Sequence, residues 1–108
     1  MLNTEIEEIN NAGEKLVENW LSGNDYTNLA KENLQINESV ITGKGRIETV
    51  MIQVKTFVHP QRPFKLSEYD IDKITRRAAK LKCIAYVAYV IIDDNKNLVG
   101  EINWERLS

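Results

Sequence analysis

Arg46-Ile47-Glu48-Thr49-Val50-Met51-Ile52-Gln53-Val54-Lys55-Thr56-Phe57, stopped by His59-Pro60-Gln61-Arg62-Pro63, decides the fold. The run is rich in β-branched residues, and the two-residue alternation of a strand divides it into faces. Glu48, Val50, Ile52 and Val54 share one face, and Ile47, Met51, Gln53 and Lys55 the other. Two prolines lack the donor a ladder needs, so they end the strand and stiffen a loop. Past the loop, Ser67 is placed as an N-cap with Asp70 three residues on. Ile71, Ile74, Ala78 and Leu81 then recur at helical spacing, opposite a basic face of Lys73, Arg77 and Lys80. Cys83 to Ile92 is apolar almost throughout, which suits a strand buried on both faces. A helix carrying the chain between two such strands predicts a right-handed crossover and a mixed sheet.

Working outward, Thr4 and Glu7 read as a capping box. Ile6, Ile9, Leu16, Val17, Trp20 and Leu21 then trace an amphipathic helix to Gly23. Residues 26–37 carry a weaker pattern, in which Leu34 and Ile36 alternate with polar neighbours. Val40 and Ile41 extend that strand into Thr42-Gly43-Lys44-Gly45, read as a hairpin turn. At the far end, Asp93-Asp94-Asn95-Lys96-Asn97 reads as a turn into a last strand from Leu98 to Asn103, with Trp104 packing back on the core. The expectation is one domain over residues 1–108, a three-layer α/β sandwich with a mixed central sheet and the order α-β-β-α-β-β.

Composition narrows the function classes. At 108 residues and 43% hydrophobic content the chain suits one core and no separate substrate domain. No apolar run approaches the roughly 18 residues of a membrane helix. The acidic N-terminus lacks the order of a signal peptide, so a cytoplasmic location is the expectation. One cysteine, Cys83, and one histidine, His59, form no Cys/His zinc constellation, which leaves oxygen ligands for any metal. Charge is segregated along the chain: residues 1–42 carry two basic and eight acidic side chains, residues 43–82 ten and four. A basic middle of this kind suits phosphates, and a solvated helix face gives the same count.

Gln53-Val54-Lys55, entered from a glycine hairpin and left through a proline loop, resembles the last element of the PD-(D/E)xK motif of restriction-endonuclease-like nucleases. Glutamine at the second acidic position resembles the Mrr-type variant. Gly13-Glu14-Lys15-Leu16-Val17, then Trp20-Leu21 and Gly23, resembles the first-helix pattern of Holliday-junction-resolvase-like nucleases. The resemblance implies a restriction-endonuclease-like sandwich in which Glu14, Glu38 and Gln53 hold magnesium and Lys55 polarises the attacking water or the phosphate. It thereby makes Lys55, Gln53, Glu38 and Glu14 the candidate catalytic set. No aspartate lies between Leu29 and Glu48, so either Glu38 supplies the first-strand ligand or Asn37 stands in its place.

Lys44, Arg62, Lys65 and Arg76 are the candidates for nucleic-acid backbone contacts, which position a duplex or strand without reading its sequence. The expectation is a degenerate or minimal nuclease-like protein that acts on or binds DNA or RNA: metal-dependent phosphodiester hydrolysis if the site is active, salt-sensitive binding without cleavage if it is not. The alternative is a non-catalytic interaction or regulatory subunit of the same fold, which covers a sheet edge with a second copy or a protein partner. His59 reads as a loop residue, Cys83 as inert and buried, and Tyr86 and Tyr89 as core or interface residues on opposite faces of their strand.

Overall fold

The computed structural model describes residues 3–35 and 38–108, and at residues 3, 4, 35 and 38 the backbone alone. The elements are α1 (Asn3–Gly23), β1 (Thr27–Gln35), β2 (Glu38–Lys44), β3 (Thr49–Val58), α2 (Glu68–Lys80), β4 (Ile84–Ile92) and β5 (Asn103–Arg106). The five strands form one sheet in the order β1-β2-β3-β4-β5. Its pairs are antiparallel except β3 and β4, which run parallel from Val50↔Ile84 to Val58↔Ile92. The α/β class and the mixed sheet therefore stand, and α2 is the crossover that parallel neighbours require.

The element order differs from the expected one by a strand. Residues 26–41, read as one extended segment, are divided into β1 and β2, which pair from Thr27↔Lys44 to Gln35↔Glu38. β1 is an edge strand of mostly polar residues, so its place is set by pairing with β2 rather than by intrinsic preference. The hairpin turn also lies further along: β2 continues through Lys44, and the loop closes where Gly45 N donates to Glu48 O at 2.8 Å. Gly45 is needed for another reason, because a Cβ there would come within 2.8 Å of the Tyr26 ring.

At the C-terminal end, Leu98 makes only an isolated bridge to Ile92. Gly100 then turns left-handed at φ 73°, and pairing resumes at Asn103. The strand expected over residues 98–103 is displaced to Asn103–Arg106 because that glycine interrupts it. The preceding turn forms as read, with Asp93 Oδ1 accepting from Asn95 N and Asn97 N.

Strand alternation divides the core between two helices. α1 covers Ile41, Val50, Ile52, Ala88, Val90 and Ile92 with Val17 and Leu21. α2 covers Val40, Met51 and Ala85 with Ile74 and Ala78, and a neighbouring cluster joins Phe57, Leu66, Val87 and Tyr89. α1 approaches the sheet so closely at Gly13 that a Cβ would lie 1.8 Å from Thr56 Oγ1. It ends with Asn24 N and Tyr26 N on Leu21 O, and with Asp25, rather than Gly23, in the left-handed region. The capping box at its start rests on the Thr4 side chain, which lies outside the described residues.

Ser67 caps α2 as expected, its Oγ accepting from Asp70 N at 3.1 Å. Leu81 leaves the apolar stripe: it is the C-cap, its backbone has left helical geometry, and its side chain is exposed. Trp104 does pack back on the core, its ring 4.7 Å from that of Trp20.

Candidate functional site

α2 presents its outer face beside the exposed end of the β1–β3 sheet face, and between them lies a groove of about 500 Å³. Lys73, Arg76, Arg77 and Lys80 recur at three- and four-residue spacing, so one flank of the helix carries them all along the groove wall. Gln53 forms part of the floor. It is 3% exposed, and its amide has no hydrogen-bond partner among the described residues. Leu34 of β1 and Tyr69 at the start of α2 complete the ends.

The charges here are partly balanced. Arg76 pairs with Asp72 at 2.9 Å, an exposed pair one helical turn apart. Arg77 reaches across to Glu32 on β1, while its buried Nε has no hydrogen-bond partner. Lys73 stands over the Tyr69 ring, 5.4 Å from its centroid, and Lys80 has no ion-pair partner among the described residues. Among the described residues, Asp72 and Glu32 are the carboxylates that pair with Arg76 and Arg77 on or beside the groove. Exposed ion pairs are worth less than about 1 kcal/mol, so an anion entering the groove can take over these cations at small cost.

The residues proposed as a catalytic set are divided by the sheet. Gln53 and Lys55 share the α2 face, as the alternation required, and Gln53 faces the groove. Lys55 is half-buried two residues further along, outside the groove lining. Glu14 is on the other side. It is carried by α1, is 5% exposed, and pairs with Lys31 at 2.8 Å. Lys31 stands opposite Ile41, a member of the α1-side core, which fixes its face. Glu38 opens β2, paired with Gln35; its side chain and Asn37 lie outside the described residues.

A magnesium ion shared by Glu14 and Gln53 does not fit this arrangement, since the sheet separates the two and a lysine already neutralises the carboxylate. Among the described residues no group of three or more His, Cys, Asp and Glu side chains could hold a metal.

The backbone-contact candidates are likewise dispersed. Arg76 lies in the groove. Arg62 and Lys65 are exposed in the loop that leads into α2, beyond the end of β3. Lys44 pairs with Thr49 at the opposite end of β3, roughly 30 Å away by strand rise. Lys73, Arg77 and Lys80, legible only as the outer face of a helix, turn out to share the groove with Arg76 and Gln53. Their common spacing was the available signal, and what it lacked was the position of β1.

His59 is an exposed loop residue whose N–H donates to Ile92 O. Cys83 is half-buried, and burial pushes its thiol up from the ordinary value. Among the described residues no helix is long and apolar enough to cross a membrane. The chain matches no family model and no curated protein.

Proposed function

We propose that this protein binds the phosphate backbone of DNA or RNA along the α2 groove, and that it is a restriction-endonuclease-like domain in which binding is uncoupled from metal-dependent hydrolysis. The observation that carries the reading is the convergence of Lys73, Arg76, Arg77 and Lys80 on one groove with the unbonded amide of Gln53 at its floor. Guanidinium and ammonium groups supply the sequence-independent attraction for phosphates, and an amide at the groove floor supplies a directed hydrogen bond. The family reading is supported by the first helix, the strand hairpin, the Gln53-Val54-Lys55 run on the central strand and the α2 crossover. The separation of Glu14 from Gln53 weighs against hydrolysis by the full set.

The test is a pair of assays on the same protein. Labelled single-stranded DNA, duplex DNA and RNA are titrated with the wild type and with Arg76→Ala/Lys80→Ala, and the same substrates are incubated with magnesium and manganese. The expected result is binding weakened in the double variant and no cleavage. Metal-dependent cleavage abolished by Lys55→Ala would restore the nuclease reading. Absence of binding to all three nucleic acids would favour the alternative, a partner-binding subunit. The exposed Phe64 and Tyr69 near the start of α2 offer such a partner an apolar contact.

A further inference from the structure

On the α1 side of the sheet, away from the basic groove, Trp20, Tyr26, Tyr86 and Trp104 surround a cavity of about 130 Å³ floored by Val50 and Ile52. Four elements bring these rings together: the last turn of α1, the segment leading into β1, and strands β4 and β5. The two indoles meet at 4.7 Å with their planes tilted 47°, and Trp20 remains 40% exposed, so the cavity has a mouth. For scale, an apolar cavity of about 150 Å³ accommodates benzene.

A packing gap would need no charge near it, whereas here Glu48, which lines the neighbouring depression rather than the cavity itself, contacts two of the cavity's wall residues. Glu48 Oε1 accepts from Tyr26 Oη and Tyr86 Oη, each at 3.4 Å, and Glu48 has no ion-pair partner among the described residues. Both tyrosine hydroxyls are held above their ordinary range, by burial first and by the Glu48 charge second. Of the two basic side chains nearest this end, Arg46 lies 3.6 Å from Asp25, and Arg106 stands opposite Tyr86 on β5, where its charge partly opposes the rise of that hydroxyl while its Nε donates to Ser108 O. α1 ends here with no basic residue in its last turn, so the negative end of its dipole has no cation of its own.

Aromatic faces present negative quadrupole charge, and a methylated ammonium group, too diffuse to bind by hydrogen bonds, is the cation such faces hold best. We propose that the Trp20–Tyr26–Tyr86–Trp104 cavity, with Glu48 as its counter-charge, is a binding site for a methylated ammonium group. The group can arrive on a small molecule or on a methylated lysine of a peptide. The site is independent of the basic groove, and the two lie on opposite faces of the sheet.

The test uses the fact that Trp20 and Trp104 are the chain's two tryptophans, so fluorescence excited where indole alone absorbs reports the cavity. The full chain is titrated with choline, with its uncharged isostere 3,3-dimethylbutan-1-ol, and with one lysine peptide in trimethylated and unmethylated forms. A saturable change with choline or the trimethylated peptide, weaker by about tenfold or more for the uncharged or unmethylated counterpart, is expected. Tighter binding of the peptide than of choline identifies a protein-borne ligand, and the reverse a small molecule. Glu48→Gln, which keeps the shape, should weaken binding by about tenfold while leaving the melting temperature close to that of the wild type. Equal response to the charged and uncharged ligands, no saturable response to any methylated cation, or unchanged affinity in a folded Glu48→Gln protein would each overturn the proposal.

Discussion

The two helices lie on opposite faces of one sheet and do opposite things with it. α1 is pressed so close that a glycine is required at position 13, and it buries Glu14 in an ion pair. α2 rests on two buried residues, Ile74 and Ala78, and stands away from the β1 side far enough to leave a groove lined with cations. The difference separates a tightly packed face from one that carries an open, cation-lined groove. It also explains why residues that resemble one catalytic set in sequence are held apart: a helix packed this closely keeps its glutamate on its own side of the sheet.

The largest effects should appear where α1 touches β3. Gly13→Ala gains about 1 kcal/mol of helix propensity but places a Cβ at 1.8 Å from Thr56 Oγ1 and 2.8 Å from Thr56 Cβ, and overpacking of that kind costs typically 1–3 kcal/mol or more. The clash prevails, so denaturant unfolding should show a net loss of up to about 2 kcal/mol. Thr56→Ala should restore part of it, because the Oγ1 it removes is buried and unbonded. Gly23→Ala provides the contrast: nothing lies within 4 Å of a Cβ there, and the variant should be as stable as the wild type or slightly more so.

Next in size is Glu14→Gln, which breaks a buried ion pair and should cost about 1–3 kcal/mol in the same measurement. It should leave nucleic-acid affinity unchanged, since Glu14 is on the far face. A loss of binding in a folded Glu14→Gln protein would break the division between the two faces.

Smaller effects are expected on the α2 side. Arg76→Ala and Lys80→Ala should each change stability by less than about 0.5 kcal/mol, as exposed helix positions do, while each flattens the salt dependence of nucleic-acid binding. Lys44→Ala, at the other end of β3, should do neither. The smallest effect concerns pH. Tyr26 and Tyr86 hold their protons more tightly in the folded chain than tyrosine ordinarily does. Their contribution is therefore complete below the ordinary tyrosine value near 10 and is lost as pH rises through the raised, folded values. Thermal unfolding should decline more steeply above pH 10 in the wild type than in Tyr26→Phe/Tyr86→Phe, and equal slopes would count against the Glu48 cluster.

Much of the fold was legible because its signals are local. The β3 alternation, the Ser67 cap, the stripe of α2 and the doubly buried β4 each follow from a few consecutive residues. What escaped the sequence depends on pairing. β1 has weak strand chemistry and exists because β2 offers it a ladder; β5 is displaced by a left-handed Gly100. The site escaped for the same reason. Gln53 and Lys55 were correctly placed on one face, but which helix covers that face cannot be read from either residue, so Glu14 was grouped with them. The aromatic cavity gathers Trp20, Tyr26, Tyr86 and Trp104 from four separate segments, with Glu48 from a fifth on its tyrosine hydroxyls, and no spacing along the chain announces it.

The most direct test of the binding account is fluorescence anisotropy of a labelled oligonucleotide, titrated over a range of salt concentrations with wild type and with Arg76→Ala/Lys80→Ala. A logarithmic plot of affinity against salt should be steep for the wild type and shallower by about two in the double variant, roughly one for each lost phosphate contact. A wild-type affinity independent of salt, or identical slopes for the two proteins, would contradict the assignment of the α2 groove to a phosphate backbone.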